Sequence, residues 1–286
     1  MELLSPAKIN LCLKVTGKRD DGYHELIMLM CAITLYDKIR IETDKSEYSI
    51  ICRHPDVPQN ESNIALRAAI LFRERLGSGQ PVSIHLEKNI PVGAGLGGGS
   101  SNAATVLKGL NVHYGYPFSD DALMGMGSEL GSDVPFFIYS KPAWAEGRGE
   151  RINCIENIAC YNIIVLFPGV NVSTPAVYKK LNFGLTKNEK KTKSPLLNKG
   201  LVDPISHLFN DLEEPAIEIC GEIKKLKDVL AIHGAEGILM SGSGSSVFGL
   251  YSETIAAKEA YDTLKSYVAH HDGCRSWQVF LAEMII

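Results

Sequence analysis

The sequence predicts an α/β (α+β) protein organised as two domains. Its 286 residues are long for a single hydrophobic core, and 45% apolar with 22% charged residues is ordinary globular composition. Segments that alternate apolar and polar side chains interleave with segments of helical period along the chain. We therefore expect strands and helices to alternate, in an N-terminal domain of residues 1–155 and a C-terminal domain of residues 156–286.

The N-terminal half begins with a predicted strand. In AKINLCLKV apolar and polar side chains alternate, so that Lys8 and Asn10 share the polar face of a half-buried strand. NIALRAAILFRERLG predicts a helix that is followed by Gly77 as its C-cap, and VSIHLEKNI predicts a strand that leads into a run of glycines. AWAEGRGERI is typical of a β-hairpin.

The C-terminal half opens with YNIIVLFPGVNV, which predicts a buried strand. STPAVYKKL predicts a helix capped by Ser173 or Thr174, and PAIEICGEIKKLKDVLAIHG predicts one amphipathic helix. GILMSGSGSSVFGLY is typical of two strands joined by a glycine turn. For the lysine-rich segment TKNEKKTKSPLLNKG, a solvated loop is favoured over a phosphate-binding patch.

The composition excludes several classes of function. A net charge of −4 gives no electrostatic basis for nucleic acid or an anionic membrane as the partner. No apolar run reaches the roughly 18 residues of a membrane span, and the N-terminus resembles neither a secretory signal nor a transit peptide. The seven cysteines are scattered without a CxxC pair, which predicts reduced, mostly buried thiols in a cytoplasmic protein.

The run PVGAGLGGGSSNAATVL has five glycines between Gly93 and Gly99 and then a helical pattern. Backbone N–H groups and the positive end of a helix dipole favour a phosphate at such a place. A P-loop requires GxxxxGK[ST], whose lysine reaches the outer phosphates. Gly93 and Gly98 have the required spacing, but Gly99 occupies the lysine position, which excludes a P-loop.

Two other interpretations of the glycine run are disfavoured. Gly93, Gly95 and Gly98 formally match the Rossmann fingerprint, but the following YGYPFSDDALMGMG predicts a loop and a helix rather than the next strand of a βαβ unit. A flexible linker is disfavoured because Ser100 and Ser101 lead directly into an apolar-periodic helix. The remaining interpretation is a nucleoside triphosphate cradle of another design.

Several segments together resemble the GHMP kinases, the family of galactokinase, homoserine kinase, mevalonate kinase and phosphomevalonate kinase. PVGAGLGGGSSNAA is similar to the family's P-x-x-x-G-L-G-S-S-A-A phosphate motif, SPAKINL to its N-terminal motif and SGSGSSVFGL to its C-terminal glycine motif. The resemblance implies an ATP-dependent kinase that uses Mg²⁺. It also implies a ribosomal-protein-S5-like N-terminal domain and a ferredoxin-like C-terminal domain.

The resemblance assigns residues to the nucleotide, because in this family the glycine loop wraps the ATP phosphates with backbone amides. Two further residues are implied to flank the adenine. The residues implied to bind ATP are Asn63, Lys88, Pro91, Val92, Gly93, Ala94, Gly95, Leu96, Gly97, Gly98, Gly99, Ser100 and Ser101. The magnesium ligands stay unassigned, with Ser101 considered as a candidate.

Asp133, in GSDVPFF, is the candidate catalytic base. From the sequence alone a helix-capping aspartate is the favoured interpretation, because it follows GS and precedes Pro135. The resemblance reverses this preference, since the family places its catalytic aspartate here and a lysine, Lys8 in this chain, close to it. A nearby ammonium keeps an aspartate ionised and stabilises a developing alkoxide. Asn10 shares a strand face with Lys8 and is implied to bind the substrate.

GKRDDGYHEL, LGSDVPFF and AEGRGE resemble one branch of the family in particular. This branch phosphorylates the 2-hydroxyl of a cytidine-diphosphate-linked methylerythritol, in the non-mevalonate route to isoprenoid precursors. Tyr23, His24 and Tyr178 are implied to recognise the cytidyl end, where a planar pyrimidine gains from stacking. A sheet aromatic, a surface histidine and a hydrophobic helix contact are the alternatives for these three residues.

Two other functions are alternatives. One is a kinase of the homoserine or mevalonate type, and the other is a catalytically silent nucleotide-binding regulator on the same fold. The presence of both Lys8 and Asp133 argues against the silent regulator. We expect a monomer or a homodimer.

Overall fold

The structure, a computed structural model, describes residues 1–181 and 200–286. The lysine-rich segment, residues 186–200, is predicted to be a solvated loop. Except for Gly200, it lies outside the described residues.

Strands and helices alternate along the described residues, as the sequence predicts. The strands are β1 (Glu2–Lys18), β2 (His24–Glu42), β3 (Ser49–Cys52), β4 (Ser83–Glu87), β5 (Ala143–Gly147), β6 (Arg151–Cys154), β7 (Asn162–Phe167), β8 (Phe209–Asn210), β9 (Gly237–Met240), β10 (Val247–Tyr251) and β11 (Gln278–Ile285). The helices are α1 (Ile64–Leu76), α2 (Gly98–His113), α3 (Asp120–Leu130), α4 (Val134–Tyr139), α5 (Thr174–Lys180), α6 (Glu213–Ile219), α7 (Glu222–Ile232) and α8 (Thr254–His270).

The chain forms two compact units, each built from discontinuous segments. Unit 1 consists of Met1–Ala7, Leu35–Val92 and Gly97–Lys141, and unit 2 of Lys8–Thr34, Gly93–Leu96 and Pro142–Ile286. Strands β1 and β2 therefore contribute residues to both units. The predicted boundary at residue 155 divides the chain into two continuous domains, whereas these units are discontinuous. It stays a prediction.

Unit 1 contains a mixed sheet and helices α1 to α4. Strand β3 pairs in parallel with β4, and β4 pairs antiparallel with the C-terminal half of β2. Helix α2 contacts α1, α3 and α4. Helix α1 ends at Leu76, and the following Gly77, with a φ of 70°, provides the left-handed cap that the sequence predicts.

Unit 2 contains an antiparallel sheet in the order β11-β7-β10-β9. Strand β7 is buried along Ile163–Phe167 because α8 packs on β7 and β11, while α7 packs on β9 and β10. The N-terminal half of β2 pairs with β5, and β5 pairs with β6 in the predicted hairpin. The two strands joined by a glycine turn are also confirmed, as β9 and β10.

Two local expectations were wrong. The single amphipathic helix is two helices, α6 and α7, because Cys220 is extended (φ −134°, ψ 90°) and Gly221, a poor helix former, follows it. The first strand is also more buried than a half-buried strand should be, since Lys8 is 4% and Asn10 1% exposed.

Most of the cysteines are buried, as predicted. All seven are free, and Cys31, Cys52, Cys220 and Cys274 are buried. Burial raises the pKa of the Cys31 thiol to about 12, so this thiol stays protonated and unreactive at neutral pH. Among the described helices, none combines the length and the hydropathy that crossing a bilayer requires.

Candidate active site

The first glycine loop, residues 93–97, has a backbone that only glycine adopts readily. Gly93, Gly95 and Gly97 have φ values of 66°, 79° and 70°, all in the left-handed region. Gly97 is the N-cap of α2, which begins at Gly98, two residues earlier than the expected start near Ser100. The glycine run therefore includes both the N-cap and the first two residues of α2.

The first turn of α2 presents backbone donors. The N–H of Ser101 donates to the carbonyl of Gly97 at 2.9 Å, the first hydrogen bond of helical type in α2. By helix geometry the N–H groups of Gly98, Gly99 and Ser100 precede any helical acceptor. Gly99 is exposed and Ser100 half-buried, so an anion can approach this turn from solvent.

The Ser101 hydroxyl, by contrast, faces the interior of unit 1. Ser101 is wholly buried, and its Oγ accepts a hydrogen bond of 2.7 Å from the Ser5 hydroxyl. This partner explains how a polar side chain is tolerated there. A buried, bonded hydroxyl does not fit a magnesium ligand, so the structure gives no support for Ser101 in that role.

A second glycine loop, residues 241–246, lies against the first one in unit 2. Ser241 Oγ donates to the Gly95 carbonyl at 3.0 Å, and the Ser246 N–H donates to the Ala94 carbonyl at 3.2 Å. A Cβ added at Gly95 would overlap the Ser241 carbonyl oxygen. Gly95 is thus required both for its positive φ and for this close backbone approach.

Lys8 and Asn10 lie together beside this part of the loop. Lys8 Nζ donates to Asn10 Oδ1, which provides a polar partner for an ammonium that is almost wholly buried. The Lys8 N–H donates to the Leu96 carbonyl at 3.0 Å, and the Asn10 N–H donates to Ser241 Oγ at 3.3 Å. The two predicted site residues on β1 are therefore fixed to both glycine loops.

Asp133 occupies the N-cap position of α4 in unit 1, but its side chain makes no capping hydrogen bond. The sequence-based alternative, a side-chain cap, is therefore not what the structure shows. Gly131, two residues before Asp133, lies close to the start of α2, because a Cβ added at Gly131 would be 3.9 Å from Ser100 Oγ.

Asn63 and Lys88, the residues implied to flank adenine, have protein partners in unit 1. Asn63 caps α1, since its Oδ1 accepts from the Ala65 N–H at 3.0 Å while its Nδ2 donates to the Pro58 carbonyl at 2.8 Å. Lys88 Nζ is ion-paired with Asp37. Pro91 and Val92 are half-buried at the exit from β4.

Two of the three predicted cytidyl-recognition residues lie together in unit 2. The rings of His24 and Tyr178 stack with centroids 4.5 Å apart and an interplanar angle of 15°. Burial, and to a lesser degree Lys18, lower the pKa of His24, so its imidazole is neutral at neutral pH. Tyr23 is 53% exposed and contacts the Arg148 guanidinium instead, 4.9 Å from its ring centroid.

Sequence reasoning missed Asp37 and Arg148. Asp37 lies in DKIRIET, whose sequence indicates only a further strand, and its partners are 51 to 65 residues away in the sequence. Arg148 belongs to AEGRGE, which carried the family resemblance without a role for its arginine.

Among the described residues, no three His, Cys, Asp or Glu side chains converge on a metal position. Magnesium at nucleotide sites characteristically takes most of its ligands from phosphate and water, with one or two carboxylates from the protein. No magnesium ligand is therefore assigned.

Two family domains match the chain. Residues 63–141 match "GHMP kinases N terminal domain" and residues 195–270 match "GHMP kinases C terminal". The chain belongs to the GHMP kinase family, and the predicted α/β (α+β) fold is confirmed.

The relatives fall in one group of this family. A 4-diphosphocytidyl-2-C-methyl-D-erythritol kinase of Syntrophotalea carbinolica is 42% identical over 99% of this chain and 98% of its own length. A kinase of the same name from Geobacter sp. (strain M21) is 45% identical over 91% of this chain and 92% of its own length.

One similar solved structure belongs to the same group, and another shares only the fold. A crystal structure of 4-(cytidine 5'-diphospho)-2C-methyl-D-erythritol kinase covers 99% of both chains with a TM-score of 0.79 and 35% identity. A crystal structure of a mevalonate kinase aligns with 99% of this chain and with 99% of its own length, with a TM-score of 0.70. Its identity to this chain is only 16%, so it shows the fold alone.

Proposed function

We propose that this protein transfers the γ-phosphoryl group of ATP to the 2-hydroxyl of 4-diphosphocytidyl-2-C-methyl-D-erythritol, in the non-mevalonate route to isoprenoid precursors. The observation that carries the proposal is the 42% identity, over nearly the whole of both chains, to a kinase named for this substrate. Homoserine and mevalonate kinase structures that resemble this chain are only 15–17% identical to it, and so share the fold alone.

The first turn of α2 is the part of the chain that we assign to the phosphates. Phosphoryl transfer requires positioning and stabilisation of spreading negative charge more than covalent chemistry. The N–H groups of Gly98, Gly99 and Ser100 supply donors together with the helix dipole. The positive φ at Gly93, Gly95 and Gly97 lets the bare backbone of the first loop approach the nucleotide.

Lys8 and Asp133 are proposed to act on the substrate hydroxyl. Asp133 would orient the hydroxyl and accept its proton, while the Lys8 ammonium would stabilise the developing negative charge. Two observations support these roles. Lys8 is buried, whereas an ordinary strand lysine is exposed, and Asp133 makes no capping hydrogen bond to α4. Asn10, bonded to Lys8, would contact the same substrate.

The cytidyl end is assigned to Tyr23, His24 and Tyr178. Stacking alone would not separate cytosine from uracil, since both are flat pyrimidines. A hydrogen bond from His24 or its backbone to the base edge would do so, because a mismatched edge leaves a buried polar group unpaired. The lowered pKa of His24 favours a neutral ring with one donor and one acceptor nitrogen.

The proposal is tested by substrate choice. The purified protein is given ATP and Mg²⁺ with the cytidyl substrate, its uridyl analogue, methylerythritol phosphate, homoserine or mevalonate, and ADP release is measured. We expect rapid turnover only with the cytidyl substrate. Equal turnover of the first three would leave a GHMP kinase without cytidyl recognition, and no turnover with ATP bound would favour the silent regulator.

A calorimetric titration separates the nucleotides. We expect ATP to bind and NAD not to bind, because α2 leads into α3 and α4 rather than into the next strand of a βαβ unit. Binding of NAD without ATP would contradict the kinase proposal. A cytoplasmic location, a monomeric or homodimeric state and the use of Mg²⁺ stay predictions.

A further inference from the structure

Asp37 is a buried carboxylate that lies outside every motif named above. It belongs to the C-terminal half of β2, in unit 1, and is 0% exposed. A buried carboxylate is costly unless it is paired and hydrogen-bonded. Its side chain accepts four hydrogen bonds, and every donor belongs to a residue that flanks the glycine run.

The donors come from both sides of the run. On the N-terminal side, the backbone N–H groups of Asn89 and Ile90 donate to Asp37 Oδ1 at 2.8 and 2.9 Å, and Lys88 Nζ pairs with Oδ2. On the C-terminal side, Asn102 Nδ2 donates to Oδ2 at 2.9 Å. One carboxylate thus links the exit from β4 to the start of α2.

The same network reaches the first turn of α2. Asn102 Nδ2 also donates to Ser5 Oγ at 2.9 Å, and the Ser5 hydroxyl donates to Ser101 Oγ. A Cβ added at Gly98 would lie 2.9 Å from Lys88 Nζ, so the ammonium that Asp37 holds lies directly against this turn. The position of the turn therefore depends on where Asp37 places Lys88 and Asn102.

We propose that Asp37 is a positioning residue for ATP. It does not touch the nucleotide; it fixes the first turn of α2, so that the N–H groups of Gly98, Gly99 and Ser100 converge on the phosphates. This inference rests on the proposed function for its effect on ATP, and its effect on the turn itself can be measured without any ligand.

Asp37→Asn is the variant that tests this role. An asparagine keeps the shape, and its Oδ1 can still accept from the two backbone N–H groups. Its Nδ2 would face two donors, the Lys88 ammonium and the Asn102 amide, so the direct link from residue 37 to α2 is lost, while Lys88 Nζ keeps its 3.4 Å hydrogen bond to Asn102 Oδ1. We expect the KM for ATP to rise about tenfold or more, and the KM for the alcohol to stay within about twofold.

The matched control is Asn111→Ala, in the same unit and on the same helix. Asn111 is buried, and it exchanges two hydrogen bonds with the backbone of Phe118, at 3.0 and 3.1 Å. We expect this variant to lose thermal stability and to keep its KM for ATP. If Asp37→Asn does not fold, Asn102→Ala removes the same link while leaving the Asp37–Lys88 pair intact, and it should raise the KM for ATP in the same way.

Amide hydrogen exchange in the ligand-free protein is the second measurement. We expect faster exchange over residues 97–103 in Asp37→Asn or Asn102→Ala than in the parent or in Asn111→Ala. If the parent binds no ATP, the proposed function fails while the exchange result still decides the role of Asp37. The inference is overturned by parent-like exchange in both linking variants, or by an equal rise in the KM for ATP in Asn111→Ala.

Discussion

Both glycine loops contain residues with positive φ, but they differ in where their backbone N–H groups donate hydrogen bonds. The first loop has positive φ at residues 93, 95 and 97, and the second has it at 242 and 244. In the second loop Ser241 and Gly244 donate their N–H groups within the loop, to Ser246 and Ser241, and Ser246 donates to Ala94 of the first. The first loop instead leads into a helix whose initial N–H groups precede any helical acceptor.

The difference teaches that glycine content alone does not predict an anion site. Glycine makes a left-handed backbone available, but the chain that follows decides whether the donors are used internally or offered to a ligand. The second loop is followed by β10, which closes a hairpin with β9 and uses its backbone groups in pairing. We therefore assign the phosphates to the first loop and a supporting role to the second.

The largest expected effect is on turnover, and it tests whether the catalytic base lies outside both glycine loops. Asp133→Asn removes the proposed base and preserves the shape of the side chain. Turnover should fall by about 10²–10⁴-fold, the usual contribution of general acid–base catalysis, while ATP binding measured calorimetrically persists. Asp120→Asn, an exposed carboxylate in the first turn of α3, is the control and should keep its turnover.

Lys8→Met extends this test. Because groups that act as a unit are not additive, the double variant of Lys8 and Asp133 should be little worse than the poorer single variant. Turnover like that of the parent in Asp133→Asn would return Asp133 to a structural role at the start of α4.

The next largest effect tests the close approach of the two loops. Gly95→Ala places a Cβ against the Ser241 carbonyl at a φ of 79°, whereas Gly115→Ala has a φ of 76° and nothing within 4 Å. Both should lose about 1 kcal/mol of unfolding free energy from the unfavourable φ. Gly95→Ala should lose roughly 2 kcal/mol more from overpacking, as measured by urea unfolding. Equal losses would show that the loops do not depend on this contact.

Much of this arrangement could be predicted from the sequence, because local patterns fix it. The cap at Gly77 and the hairpin of β5 and β6 follow from turn chemistry and alternation within a few residues. Likewise, the place of the first loop before a helix was evident from PVGAGLGGGSSNAATVL.

What could not be predicted depends on distant contacts. The role of Asp37 requires partners more than 50 residues away, and no local pattern distinguishes it from a solvated strand aspartate. The burial of Lys8 likewise follows from segments that β1 meets only in the folded chain, such as the loop at Leu96. The break between α6 and α7 was missed because amphipathic period outweighed one glycine in the prediction.

A smaller effect tests whether recognition of the cytidyl group is separate from both loops. Tyr178→Ala removes the ring that stacks on His24. The cytidyl substrate should bind more weakly by about 1–3 kcal/mol, seen as a higher KM, with the KM for ATP nearly unchanged. Tyr261→Ala on α8, outside the proposed site, is the control. A parallel rise in both KM values would mean that the aromatic pair supports the loops rather than the substrate.

The smallest effect tests the supporting role of the second loop. Ser241→Ala removes the donor to the Gly95 carbonyl and the acceptor of the Asn10 N–H. Ser241 and Asn10 are buried, and Gly95 is half-buried. Leaving such groups unpaired should lower the unfolding free energy by about 1–2 kcal/mol. Because the Gly95 carbonyl is then held less firmly, the KM for ATP should rise by less than about tenfold, with kcat unchanged. Ser128→Ala, which loses a bond to the Met124 carbonyl within α3, should change stability alone. If Ser241→Ala changes stability alone, as Ser128→Ala should, the second loop stabilises the fold without positioning the first loop for ATP. The proposed supporting role of the second loop would then be wrong.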